Sequence, residues 1–284
     1  MGAEKMIIDF HTHIFSTDLC RDRSIGLADG QFRCINSSEK ARLISHPELM
    51  AAMKESGVDY CVAMGFPWED EALCAAQNEY LRAVPGLSGG TIIPFGSVPV
   101  NRSTDCGAWV RAVKDMGLRG IGEVGFYREG LNGSTLDFLW ELLAAARDSS
   151  LPLCLHVNEP VGHHYQGKYD PNLRELYALL TEYADVDIIL SHWGGGLLFY
   201  ELMPEVAVVL SRCYYDTAAS PYIYSDKIYR VAPSLVSPKK ILFGSDYPLI
   251  GSGKYIESIS REILDNEWKA DVLGMNAARL LKII

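Results

Sequence analysis

Six residues of the types that bind metal ions or carry protons stand at the ends of five apolar runs. His11 and His13 close Met6-Ile7-Ile8-Asp9-Phe10. In an extended strand, residues two apart face the same side. The two imidazoles therefore aim at one point past the strand's end, and neutral imidazole is a ligand for zinc and similar ions. The pattern recurs downstream. Glu123 sits inside Gly120-Ile121-Gly122-Glu123-Val124-Gly125, and His156 closes Leu153-Cys154-Leu155. His192 follows Ile188-Ile189-Leu190-Ser191, and Asp246 follows Leu242-Phe243-Gly244-Ser245. Singly, each has an ordinary explanation: a carboxylate capping a helix, or a hydrogen-bonded core histidine. A charge inside an apolar run is costly unless paired or metal-bound, and the same accident at five strand ends is improbable. The set His11, His13, Glu123, His156, His192 and Asp246 reads as a divalent-metal site, with Asp246 and His192 also able to carry protons.

The elements that must bring these residues together are eight short, β-branched-rich segments alternating with helical ones. They are expected near 6–13, 58–65, 91–98, 118–125, 151–157, 186–192, 213–217 and 240–246. Strands that are apolar on both faces and alternate with helices pair in parallel. Eight such units predict a single α/β domain over 1–284, a (β/α)₈ TIM barrel, whose reacting residues lie at the C-terminal ends of its strands. A doubly wound open sheet is the alternative, but no Gly-x-Gly-x-x-Gly follows the first strand. Between the first strand and the next helix lies a long polar stretch, 14–45, read as an irregular loop serving as a lid or a subunit contact. Helices are expected to end at Gly57, at Pro85-Gly86 and at Gly117, and the helix from Ser134 to be capped by Ser134 itself.

Composition narrows the partners. The chain has 284 residues, 48% of them hydrophobic, and a net charge of −10. No Lys/Arg-rich run is present, which speaks against nucleic acid. No apolar stretch nears the ~18 residues of a membrane span. Seven scattered cysteines without a Cys-x-x-Cys pair, and an N-terminus without a signal pattern, predict a cytoplasmic protein. The expected partner is a small-molecule substrate, with a homo-oligomer possible. Substrate contacts are expected from the glycine-bounded loop after strand five, through His163, His164 and Lys168. Trp193 beside Gly194-Gly195-Gly196 is read as a pocket wall and Arg128 as a further contact.

The ordered stretches Asp9-Phe10-His11-Thr12-His13, Leu155-His156-Val157-Asn158-Glu159-Pro160, Leu190-Ser191-His192-Trp193-Gly194-Gly195 and Phe243-Gly244-Ser245-Asp246-Tyr247-Pro248 resemble the amidohydrolase superfamily, and within it amidohydrolase family 2. The closing Asn276-Ala277-Ala278-Arg279-Leu280 is similar to that family's last helix. The resemblance spans essentially the whole chain and implies a TIM barrel with a divalent ion, commonly zinc. It offers two arrangements. With one ion, the arrangement favoured here, His11, His13, His156 and Asp246 surround it and His192 is a free acid or base. With two, as in TatD-like relatives, Glu123 bridges them. The implied reaction is hydrolysis of an amide, lactone or ester bond by a metal-activated water, with Asp246 as general base and His192 polarising the carbonyl. The alternative is a metal-dependent non-oxidative decarboxylase of an aromatic or dienyl carboxylate, with Arg128 or Lys168 meeting the carboxylate. A TatD-like nuclease and a non-catalytic metal-binding barrel are the remaining readings.

Overall fold

The structure, a computed structural model, describes residues 6–283. Eight strands appear in order: β1 (Ile8–His13), β2 (Tyr60–Met64), β3 (Ile92–Pro94), β4 (Ile121–Val124), β5 (Leu153–Leu155), β6 (Ile188–Leu190), β7 (Cys213–Asp216) and β8 (Ile241–Leu242). Each pairs in parallel with its sequence neighbours, in ladders β1-β2-β3 and β4-β5-β6-β7-β8. Two sets of backbone hydrogen bonds close the gaps. Gly96 N donates to Gly120 O at 2.8 Å and Gly122 N to Gly96 O at 2.9 Å, joining β3 to β4. Phe10 N donates to Phe243 O at 2.7 Å and Asp246 N to His11 O at 2.9 Å, joining β8 to β1. The result is the closed (β/α)₈ barrel predicted from the alternation.

Side-chain alternation along the strands sorts two cores. Val62 and Met64, Cys154, Ile189 and Leu242 fill the barrel interior together with Phe10 and Phe95, and Ala277, Ala278 and Leu281 plug one end. The alternate positions Cys61, Ala63, Leu153, Leu155, Ile188 and Leu190 face outward against the helices, where Leu139, Leu142, Leu143, Leu176 and Leu180 bury their apolar faces. On β1 the register against β2 shifts between Asp9 and Thr12, so alternation breaks where the two histidines begin.

The observed elements depart from expectation in specific ways. The helix Glu71–Leu87 runs through Pro85 rather than ending there. Pro85 lies in its final turn, and Ser88 N still donates to Val84 O at 2.9 Å, so little beyond one hydrogen bond is lost. The cap of Gly133–Ser149 is Asn132, whose side chain accepts from Ser134 N, not Ser134 itself. The stretch 14–45 is not one irregular loop. It forms the helices Thr17–Arg21 and Gly30–Asn36 and a helical turn Arg23–Ile25, with Ser16, Asp22 and Asp29 accepting from their first turns. It also has its own small core, in which Phe32 stacks on Trp68 with centroids 5.0 Å apart and 13° between planes. Pieces this short show too few turns for a 3.6-residue period to be seen.

Candidate metal centre

All six predicted residues meet at the C-terminal mouth of the barrel. His11 Nε2 is 3.0 Å from His13 Nε2, and His13 Nε2 is 3.2 Å from Asp246 Oδ1. Across from this trio, Glu123 Oε1 is 2.9 Å from His156 Nδ1, 3.6 Å from His192 Nε2 and 3.7 Å from His11 Nε2. His192 Nε2 and His156 Nδ1 are 3.1 Å apart. Glu123 thus stands between two three-donor sets, His11–His13–Asp246 and Glu123–His156–His192. Donor atoms about 2.0–2.2 Å from one ion stand roughly 3 to 3.5 Å from each other, so the spacing and the imidazole–carboxylate chemistry fit a divalent metal. Among the described residues, Glu123 and Asp246 form ion pairs with histidines alone.

Local backbone makes this convergence possible. Gly122 has φ +141°, and a Cβ there would lie 2.7 Å from Cys154 Cβ, so only glycine lets the Glu123 strand end approach β5 so closely. His192 (φ 56°) and Asp246 (φ 63°) are left-handed non-glycine residues. Such strain is held in place by its surroundings and concentrates at functional sites.

Behind the cluster, a carboxylate absent from the sequence-derived set orients it. Asp216, closing β7, has Oδ2 2.7 Å from His11 Nδ1, while its Oδ1 accepts from the backbone of His192 at 2.9 Å and of Ala218 at 3.0 Å. His192 Nδ1 is 3.0 Å from Ala218 O, and Asn158 Nδ2 is 2.9 Å from His156 Nε2. These contacts place the Nδ1 hydrogens of His11 and His192 and leave both Nε2 atoms facing the cluster. The signal for Asp216 was available: it ends Cys213-Tyr214-Tyr215 as the other donors end their runs. Asp9, also fully buried, accepts from Ser245 N (2.9 Å), Ser245 Oγ (2.6 Å) and Ser252 Oγ (2.7 Å), pinning the loop that carries Asp246.

The electrostatics are those of a tightly paired set. Burial disfavours charge on His11, but Asp216, Glu123 and Asp246 outweigh it and raise the imidazole to about 10. Burial likewise opposes charge on His192, and Glu123, Asp246 and Asp216 raise it to about 9. Burial pushes Glu123 up, yet His156 and His11 hold it well below the usual carboxylate range. Asp246 is lowered in the same way, against burial, by His13, His11 and His192. For Asp9 burial wins over its serine donors and raises it to about 6.

A cavity of about 380 Å³ opens onto this cluster. His13, Glu123, His156 and Asp246 form its floor, and aromatic side chains including Phe15, Phe66, Tyr127 and Tyr165 form its walls. The expected substrate contacts lie elsewhere. Arg128 bonds Glu69 at 2.8 Å and is outside the cavity lining. Lys168 Nζ donates to Val161 O at 2.6 Å and His163 O at 3.1 Å, bracing the loop that presents Tyr165. His163 and His164 point to solvent. Trp193 walls no pocket: with φ +60° its indole turns into the core and donates to Ser220 Oγ at 2.7 Å. The cations that do line the cavity are Lys40 and Arg42, from the stretch 14–45, where no motif marked them.

A family model described as amidohydrolase matches residues 8–283. No curated protein sequence matches the chain. Among solved structures, 5-carboxyvanillate decarboxylase from Sphingomonas paucimobilis is similar at 14% identity and TM-score 0.74, covering 98% of this chain and 99% of that one. A 2,6-dihydroxybenzoate decarboxylase from Rhizobium is similar at 14% identity and TM-score 0.69, with coverages of 98% and 99%. A dihydroxybenzoic acid decarboxylase from Polaromonas sp. JS666, solved with manganese and 2-nitroresorcinol, is similar at 15% identity and TM-score 0.72, with coverages of 98% and 97%.

Proposed function

Because this chain belongs to the amidohydrolase family, we propose that it is a metal-dependent enzyme that releases CO₂ from an aromatic carboxylate without a redox cofactor. The observation that carries this reading is the aromatic-walled cavity opening onto a buried imidazole–carboxylate cluster. The reaction class is supported by the decarboxylases that share the fold across 98% of the chain. One ion is proposed, held by His11, His13 and Asp246 with His156 and Glu123 facing it. Imidazole and carboxylate donors suit zinc or manganese. A bound divalent ion would supply fixed positive charge against the substrate's oxygen atoms.

The chain's own groups supply the rest. Phe66 and Tyr127, with rings 6.2 Å apart, present flat apolar surface for an arene. Loss of CO₂ breaks the ring–carboxyl bond and leaves its electron pair on the ring carbon, which must take up a proton. His192 Nε2 faces the cluster 3.6 Å from Glu123, its imidazole is raised, against burial, by its carboxylate neighbours, and it is assigned as that donor. Asp246, held ionised by its histidine neighbours, can accept a hydrogen bond from an acidic substrate group. Hydrolysis of an amide, ester or lactone is the second reading, favoured by the partly exposed Asp246 carboxylate, which lines the cavity 3.2 Å from His13.

The test is a panel of hydroxybenzoates, amides and lactones on protein of measured zinc or manganese content. CO₂ release from a hydroxybenzoate, falling about 10²-fold or more in His192→Asn, is expected. Turnover confined to lactones or amides would replace this reading with the hydrolase.

A further inference from the structure

We propose that the outward face of the chain between β6 and β7 is the seat of a second copy of this protein. The helical pieces His192–Leu202 and Pro204–Val209, which make up most of that connection, are apolar on both sides. Inward, Leu197, Leu198, Val206 and Leu210 pack into the core beneath the helices. Outward, Phe199, Tyr200, Leu202, Met203 and Val208 stay between 40% and 74% exposed, and so does Tyr222 from the turn after β7. That turn adjoins the face, because the rings of Phe199 and Tyr224 lie 6.4 Å apart. Helical chain that is apolar all round belongs to an interior, yet here its outer side meets water. A single exposed leucine such as Leu87 calls for no such account.

Area and charge say what covers it. At about 150–200 Å² for each whole side chain, those six residues leave roughly 500 to 670 Å² of apolar surface. The largest patch on a typical monomer is about 300–600 Å². One side of a standard interface is about 800 Å², and about 65% of it, roughly 520 Å², is apolar in homodimers. The face therefore supplies the apolar share of one homodimer side without help from the rest of the surface. It is also nearly free of charge. Residues 197–211 include two charged side chains, Glu201 and Glu205. Glu201 is buried, and its carboxylate accepts from Lys240 Nζ at 2.6 Å. Two copies of net charge −10 repel where their acidic surfaces meet, and least where almost no charge stands. A different protein is selected by charges set for or against it, and this stretch offers Glu205 alone. The same want of lysine and arginine disfavours an anionic membrane. A two-fold axis through the face sets each apolar side chain against the same group on the other copy.

Solution mass of the full chain tests this. Sedimentation of wild type at micromolar concentration should give twice the 31.5 kDa of the chain. Leu202→Glu/Val208→Glu sets carboxylates at two exposed positions, so the helical signal in circular dichroism should be unchanged. Like charges then meet across the axis, and the dissociation constant should rise about 100-fold or more. Leu87→Glu, on the helix between β2 and β3, should remain as dimeric as wild type. A second readout needs no substitution. Amide exchange across 197–203 in wild type should quicken on dilution below the dissociation constant, while exchange in β5 holds. A monomeric wild type, a double variant that stays dimeric, or exchange at 197–203 that ignores dilution would overturn the inference. A monomer that cosediments with phosphatidylcholine vesicles would give the face to a lipid surface instead.

Discussion

Binding of a divalent ion should expel protons, and their number tells which imidazoles ligate. In the ion-free cluster His11 is raised to about 10 and His192 to about 9, so at pH 7 both carry a proton on Nε2. Their Nδ1 hydrogens have other partners, Asp216 Oδ2 at 2.7 Å and Ala218 O at 3.0 Å, and remain in place when Nε2 becomes a donor to metal. Glu123 and Asp246 are both lowered and already ionised, so they release nothing. A group raised above the working pH must lose its proton before it can bind, so the proton competes with the ion below that pKa and ceases to compete above it. If both imidazoles ligate, about two protons leave per ion, and apparent affinity climbs about 10²-fold per pH unit between pH 6 and 8, or roughly 2.7 kcal/mol per unit. The climb levels off above about 9 and 10 in turn. If His192 stays outside the coordination shell, as in the one-ion arrangement, the count falls to about one and the slope to about tenfold. Calorimetric titration of zinc or manganese in buffers of different ionisation heat reads the count directly, and chelator competition at pH 6.5 and 7.5 reads the slope. No proton release with pH-independent affinity would refute the assignment of His11 as a ligand.

Two further outcomes are expected. Asp216→Asn removes the carboxylate that orients His11, and metal affinity should fall about 10- to 100-fold, measured by chelator competition, while the helical signal in circular dichroism is unchanged. Unaltered affinity would show that Asp216 serves packing alone. Glu201→Gln leaves Lys240, whose Nζ is 2.6 and 2.7 Å from the Glu201 oxygens, with an unpaired buried charge. Stability in urea should fall by about 3 kcal/mol, and a loss below about 1 kcal/mol would show that water reaches the ammonium.

The barrel and the cluster were legible because each donor ends a run whose composition marks a buried strand. Barrel geometry then brings strand ends together however far apart they lie in sequence. His11 and Asp246 are such a pair, adjoining one another across the β1–β8 closure. What escaped was whatever depends on chain reversal rather than periodicity. Lys40 and Arg42 reach the cavity because Arg23 ties a turn down, and nothing in their neighbours announces it. Arg128 and Lys168 had the right charge and the right loops, but Glu69 and two backbone carbonyls claim them. Trp193 follows a donor as a pocket wall would, but it is fully buried and its indole donates to Ser220 Oγ.

The junction of first and last strands has a consequence for biosynthesis. Asp246 N bonds His11 O, and these two residues supply donors to the same cluster from opposite ends of the polypeptide. A growing chain that has emerged only as far as β7 would display His11, His13, Glu123, His156 and His192 with nothing to hold the barrel round. A fragment stopping at β7 lacks Asp246 and the β8–β1 bonds that close the two ladders into a barrel, so it is expected to bind a divalent ion more weakly than the full chain, through Glu123, His156 and His192 alone.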